Sequence, residues 1–243
     1  HWHGECVGDL PMEFLHGAVP QPVRAAEFNH PPFRNTAWPD VVNYTELIPQ
    51  LLAHHTIASK EWVVRQYDHE VQGGTIVKPY QGGNGHGPSD GTVIKPRIDL
   101  PQGAVLGCGI APQIAVIDPY AGAALAIDEA MRNVVAAGGN PHRTAILDNF
   151  CWGDCRKPDR LGSLALAAEA CYDAAIAYGA PFISGKDSLN NEYRVGDKEI
   201  PIPPTLLCTA LAIIDDTSKA VTTCLKRAGN VLVQVGFTEN AGG

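Results

Sequence analysis

Several familiar signatures are missing from this 243-residue chain. No stretch reaches about 18 consecutive apolar residues, so no membrane span is expected. No signal peptide opens it, and His1 stands where an initiator Met would, which reads as an excised piece. Cationic charge is scarce: 18 Lys and Arg stand against 26 Asp and Glu, a net charge of −8, which disfavours a nucleic-acid-binding surface. There is no GxSxG, no HExxH and no Walker Gly-Lys-Ser/Thr. The seven cysteines contain a CxxxC (Cys151, Cys155) but no CxxC, which leaves little room for a zinc knuckle. Their odd number and irregular spacing read as reduced, and the expected location is cytoplasmic.

Glycine and proline are plentiful, with 25 and 19 residues, and they cluster. In residues 1–40, six prolines from Pro11 to Pro39 break helical runs, so this part reads as a linker or the tail of a preceding domain. Residues 41–226 read as one domain. Leu47, Ile48, Leu51 and Leu52 fall at helical spacing with Thr45 as a cap, and Ser59 caps a short helix carrying Trp62. Strands are expected at Thr75–Lys78 and Thr92–Lys95, then strand-like material from Val105 to Ile117 broken by Gly107, Gly109 and Pro112. Ala-rich helices follow at Ala121–Ala137 and Leu161–Tyr178. Buried strands are expected at Thr144–Leu147, Pro181–Ser184 and Leu206–Ile214, with a short helix at Lys219–Lys226. Residues 227–243, with a strand at Val231–Val235, read as the start of a further, truncated domain. This order predicts an α+β fold, a mixed or antiparallel sheet with helices on one face.

Four places could carry chemistry. The polar run Gly82 to Asp90 holds four glycines, whose N–H groups suit an anion nest as readily as a plain surface loop. Glu129 and Asn133 lie four apart on a helix, a carboxylate and an amide oxygen on one face, which suits Mg²⁺ or simply solvent. Asp148-Asn149 follows a buried strand, where open sheets place ligand contacts and where turns and caps also occur. Gly185-Lys186-Asp187-Ser188 sets a cation, a carboxylate and a hydroxyl in succession, either for phosphate and metal or as a charged hairpin turn. Asp68, His69 and Glu70 alternate faces if extended and read as a polar junction. Together, Asp90, Glu129, Asp187 and Asn133 with a lysine and a glycine loop describe a Mg²⁺–nucleotide phosphate site.

Longer motifs add to this. Val64-Arg65-Gln66-Tyr67-Asp68-His69-Glu70-Val71-Gln72-Gly73-Gly74, Gly87-Pro88-Ser89-Asp90, Ile127-Asp128-Glu129-Ala130-Met131-Arg132-Asn133, Leu147-Asp148-Asn149-Phe150-Cys151-Trp152-Gly153 and Phe182-Ile183-Ser184-Gly185-Lys186-Asp187-Ser188-Leu189-Asn190-Asn191-Glu192 resemble, in order, the phosphoribosylformylglycinamidine synthase family of purine biosynthesis. Asp9-Leu10-Pro11 to Arg24 resembles the stretch leading in. The resemblance is to the second of two aminoimidazole ribonucleotide synthetase-like halves: the end of the first unit, the N-terminal domain of the second and the start of its C-terminal domain. It implies an ATP- and glutamine-dependent ligase whose complete form phosphorylates the amide oxygen of formylglycinamide ribonucleotide and lets ammonia displace the phosphate. It also implies that the catalytic residues and the glutaminase lie outside this chain, and that two such domains pair their sheets, here as a homodimer.

The same resemblance assigns Asp90, Glu129, Asn133 and Asp187 to Mg²⁺, and Ser89, Asp148, Gly185, Lys186 and Ser188 to ATP, ADP or substrate. Lys186 stands where small members carry Asn, so a metal ligand there reads as a phosphate contact here. Larger members hold a permanently bound ADP at this site, which leaves a scaffold role open beside a catalytic one. Other ATP-dependent enzymes of the superfamily, such as selenophosphate synthetases or hydrogenase maturation factors, fit the DHEVQGG and GKDSLNNE stretches less well.

Overall fold

The structure is a computed structural model, and it describes residues 1–17, 22–32, 43–68 and 70–236. The elements run α1 (Met12–Gly17), α2 (Tyr44–Ala53), α3 (Glu61–Val64), β1 (Thr75–Val77), β2 (Tyr80–Gln81), β3 (Gly87–Pro88), β4 (Gly91–Ile94) and β5 (Gly103–Ile110). Then come α4 (Pro112–Ala115), α5 (Pro119–Ala136), β6 (Thr144–Cys151), α6 (Pro158–Tyr178), β7 (Phe182–Ser188), β8 (Glu192–Val195), β9 (Lys198–Pro201) and β10 (Thr205–Ile214). Six strands form one sheet in the order β1-β4-β5-β10-β6-β7, antiparallel except for the β6–β7 pair. β2–β3 and β8–β9 are separate hairpins. The expected α+β architecture, a mixed sheet with helices on one face, is what forms.

The alternation along β10 sets the two faces. Leu206, Cys208, Ala210, Ala212 and Ile214 are buried against α5 and α6, while the residues between them are partly open. α5 is aligned by a regular start and stop. Asp118 Oδ1 accepts from Ala121 N, Pro119 opens the first turn, and Gly138 at φ +102° follows the end. Its buried stripe is small: Ala123, Ala126, Ile127, Ala130 and Val134. α6 ends at Gly179 with φ +63°, a left-handed cap.

β5 shows why the small residues matter. The sequence pattern takes Gly107 and Gly109 as breaks, but the strand runs through both of them. A Cβ on Gly107 would sit 2.9 Å from Ala130 O, and one on Gly109 would sit 2.0 Å from Ala126 O. These glycines remove side chains where α5 lies directly on the sheet, so they mark close packing, not chain reversal.

Other expectations shift. The strand at Thr144–Leu147 extends through Asp148 and Asn149 to Cys151, and the one at Pro181–Ser184 extends to Ser188, because each finds a neighbour to complete its hydrogen bonds. The cap of α2 is Asn43, whose Oδ1 accepts from Thr45 N, and the cap position of α3 is Lys60, not Ser59, though Ser59 Oγ, just before it, accepts from Glu61 N. A short helix, α1, forms within the proline-broken region without burying a residue. Residues Lys219–Lys226 are not helical beyond a 3₁₀ turn at Thr217–Lys219. There the Lys226 ammonium donates to the carbonyls of Thr222 and Cys224, folding the backbone around itself. Val231–Val235 forms no strand and lies exposed. Among the described residues no helix is long and apolar enough to cross a membrane.

Replacing Gly109 by Ala should destabilise the domain by on the order of 1–3 kcal/mol through overpacking against the α5 backbone. Urea unfolding of Gly109→Ala beside the parent measures this, and an unchanged midpoint would contradict the packing account.

Candidate functional site at the strand ends

One end of the sheet gathers the N-terminal end of β4 and the C-terminal ends of β5, β6 and β7. Every site residue expected from sequence lies at this end, but on different strands and faces.

The β4–β5 corner is the most built. Glu129 Oε2 accepts from Ile110 N at 2.7 Å, and Asn133 Nδ2 donates to Cys108 O at 2.8 Å. Both residues project from α5 onto the last residues of β5, where the sheet no longer satisfies every backbone group. The second oxygen of Glu129 and the amide oxygen of Asn133 take no protein hydrogen bond among the described residues. Gly91 packs beneath the same turn: a Cβ there would lie 3.1 Å from Asn133 O. That places the preceding residue, exposed Asp90, beside the Asn133 turn. Asp90 lines a cavity of about 460 Å³ with Tyr80, Ser89, Cys108 and Thr209, roofed by the β2–β3 hairpin. It also lines a small one of about 40 Å³ with Ser89, Thr222 and Thr223. Ser89 Oγ is buried without a hydrogen-bond partner among the described residues.

The glycine run is an ordered hairpin. Arg65 donates from Nη2 to Gly85 O at 2.8 Å, stands over the Tyr80 ring at 5.5 Å and pairs with Glu61. Thr223 Oγ1 donates to Pro88 O from the other side. In the DHE stretch, Glu70 pairs with Lys78 at 2.8 Å, and His69 lies outside the described residues.

The β6–β7 corner divides between two faces. Asp148 pairs with Gly185 in register, and its carboxylate lies across the glycine: a Cβ on Gly185 would meet Asp148 Oδ1 at 2.4 Å. Burial and then the charge of Asp187 push the Asp148 carboxyl above its ordinary range, against backbone hydrogen bonds that favour the charged form. On the opposite face Lys186 Nζ donates to Ser188 Oγ at 2.6 Å. The motif therefore does not act as a unit, because adjacent strand residues alternate sides.

Asp187 is separated from the other three residues assigned to metal. β10 and β6 stand between β5 and β7, so the spacing of strands puts about 14 Å between the β5 and β7 backbones. Among the described residues no three His, Cys, Asp or Glu side chains gather as a metal-binding cluster. The strand order thus sets Asp187 apart from Asp90, Glu129 and Asn133 within this domain. Glu129 and Asn133 offer hard oxygen donors that suit Mg²⁺ in a cavity of about 740 Å³ shared with Asp128 and Arg132, Asp90 lines other cavities beside the Asn133 turn, and Asp187 lies with Asp148 at the other corner.

Sequence reasoning missed what braces this end. Glu192 is buried, pairs with Arg160 and accepts from Asp154 N at 2.8 Å through the same oxygen. Asp154 in turn holds Arg156, whose guanidinium keeps the Asp154 carboxyl far below the usual carboxylate range. No local pattern marks Arg160 and Glu192, which are distant in sequence.

Residues 89–214 match the family model for AIR synthase related protein, N-terminal domain. The chain is 32% identical over 245 residues to phosphoribosylformylglycinamidine synthase subunit PurL of Deinococcus radiodurans, covering 99% of this chain and 32% of that one. Against the protein of the same name from Thermoplasma acidophilum it is 37% identical over 175 residues, 72% of this chain and 22% of that one. The solved structure of T. maritima PurL complexed with ADP superposes with a TM-score of 0.54 at 26% identity, over 83% of this chain and 28% of that one. The chain spans about a third or less of the length of these proteins.

The raised Asp148 carboxyl has a thermodynamic consequence. The folded state holds this proton to higher pH than the unfolded chain does, so Asp148 costs stability as pH climbs from the ordinary carboxylate range through its raised value. Asp148→Asn should remove that decline and leave the variant more stable than the parent at neutral pH. Thermal melts across pH 4–8 test it, and parallel curves for the two proteins would refute it.

Proposed function

The chain belongs to the AIR synthase related protein family, and from that membership we propose that it is the nucleotide-binding portion of a phosphoribosylformylglycinamidine synthase. The observation that carries this reading is the β4–β5 corner. Glu129 and Asn133 each commit one polar atom to the β5 backbone and keep one oxygen in reserve, lining a cavity of about 740 Å³ with Asp128 and Arg132, while Ser89 and Asp90 line separate cavities at the start of β4. The hydrogen bonds fix both side chains before any ligand arrives, so little rotamer entropy is lost on binding. Asp90, Glu129 and Asn133 would hold Mg²⁺, which when bound supplies positive charge against polyphosphate oxygens. Ser89 contributes a hydroxyl at the same corner. At the other corner, Lys186 offers an ammonium held by Ser188, while Gly185 leaves room for the Asp148 carboxylate. Asp187 serves a separate position from the first ion.

The relatives' names supply the reaction class. In the whole protein the site supports ATP-dependent amidination of formylglycinamide ribonucleotide, with ammonia from a glutaminase partner and with the other synthetase half. Residues 227–243 begin the following domain in this reading, and a cytoplasmic location fits a purine-synthesis ligase. The neighbour complexed with ADP supports a bound nucleotide here and agrees equally with a structural ADP.

A thermal-shift titration with Mg-ADP tests the site. Saturation at about a hundredfold over Kd should stabilise the chain by about 2.7 kcal/mol. Glu129→Gln keeps an acceptor for Ile110 N but loses the charge, and should abolish most of that shift while leaving the nucleotide-free melt nearly unchanged. A chain indifferent to Mg-ADP, or a variant that responds like the parent, would count against the proposal. ADP that stays through extensive dialysis would favour the structural role.

The open face of the sheet extends the proposal. Leu106, Cys108 and Ile110 on β5 stand beside Leu207, Thr209 and Leu211 on β10 on the sheet face away from α5 and α6, where Val64 and the β2–β3 hairpin line one cavity with Leu106, Cys108 and Thr209. This surface is suited to pair with a second such domain, here a second copy. Light scattering should show a dimer that Leu211→Lys converts to a monomer, and a monomeric parent at high concentration would sink this part.

A further inference from the structure

The N-terminal end of α6 is gripped from two sides. On one side lies an extended segment, residues 22–32, whose prolines Pro22, Pro31 and Pro32 favour an open backbone. Glu27 N donates to Pro158 O at 2.9 Å. The Glu27 backbone also rests on Gly162, where a Cβ would come 2.3 Å from Glu27 O and 2.4 Å from Glu27 C. Gly162 is thus a notch cut for a backbone to lie in. Phe28, the next residue, is half-buried while its neighbours are exposed. The strap's Arg24 acts electrostatically on the Cys155 thiol, as does Arg160, though burial dominates and pushes the thiol up.

On the other side, Arg160, between the two strap contacts in sequence, pairs with Glu192. Their side chains are 16% and 3% exposed, so the pair is largely removed from solvent screening and removal of either charge is costly. Glu192 belongs to the segment that leaves β7. That segment is hydrogen-bonded to the one leaving β6: Trp152 N donates to Ser188 O and Asn191 N to Trp152 O, both at 2.8 Å, and Cys155 N donates to Leu189 O at 3.3 Å. Ser163 closes the set, accepting from Trp152 Nε1 at 2.9 Å and donating to Arg160 O at 2.8 Å.

We infer that residues 22–32 are a docked strap, seated on Gly162, whose attachment is coupled through Arg160 and Glu192 to the order of the 188–192 loop beside Lys186 and Ser188. Seating the strap fixes residues 158–162, the same turn that holds Arg160 in line with Glu192. The coupling runs both ways, since a free-energy linkage is reciprocal. It gives residues preceding the domain a route to the β7 end of the site. It does not depend on what that site binds.

Amide hydrogen exchange on the unliganded chain tests this, read relative to the Ile146 amide, which sits in the core sheet, so that any general loosening cancels. Gly162→Ala places a better helix former in α6 but fills the notch. The Glu27 amide should then exchange faster by about tenfold or more, and the Asn191 amide by about threefold. Glu192→Gln retains an acceptor for Asp154 N and removes the charge facing Arg160. It should speed exchange at Asn191 and, by reciprocity, at Glu27. Unchanged exchange at Glu27 in Gly162→Ala would overturn the seat. Release of Glu27 with Asn191 unaffected, or the converse in Glu192→Gln, would overturn the coupling.

Discussion

The close contact between α5 and β5 is the constraint on which the rest of the structure depends. Two strand positions carry no side chain, and the helix backbone occupies the space. Were Gly107 and Gly109 larger, α5 would stand farther from the sheet, and Glu129 and Asn133 would no longer reach Ile110 N and Cys108 O. The same contact therefore closes the core and builds the best-defined corner of the candidate site. Interiors close to crystal density offer little room to absorb such a change, so the spacing of helix and strand is effectively set.

The second corner obeys a similar rule with a different chemistry. Gly185 yields its Cβ space to the Asp148 carboxylate, a polar group that sits partly buried against the charge of Asp187. A carboxylate in this position costs stability as pH rises, since the protonated form is favoured in the folded state. The face away from α5 and α6 adds a third demand, apolar strand residues that neither long helix covers. The chain spans about a third of the length of its Deinococcus radiodurans relative.

Much of the secondary structure was legible. The Ala-rich helices, capped by Asp118 and stopped at Gly138 and Gly179, and the apolar strand at Leu206–Ile214 follow from local patterns that tertiary contacts only extend. Strand ends were less legible. Asp148, Asn149, Lys186 and Asp187 read as loop residues because polar types favour turns, yet parallel pairing of β6 with β7 satisfies their backbones and draws them into the sheet. The role of Gly107 and Gly109 could not be read either, since a glycine that breaks a strand and one that admits a helix look alike without the helix in view.

From sequence alone came the α+β class, the acidic balance, the residue types suited to Mg²⁺ and phosphate, and an ordered set of motifs resembling one family. Those are properties of short stretches, where propensity and spacing act locally. Which side chains share a corner was decided only by tertiary structure, because strand order is set by pairings between segments far apart in the chain. It placed Asp90 beside the Asn133 turn, carried Asp187 across two intervening strands from β5, and joined Arg160 to Glu192. No one-dimensional spacing encodes those distances, since they depend on how many strands the sheet inserts between two neighbours in a motif list.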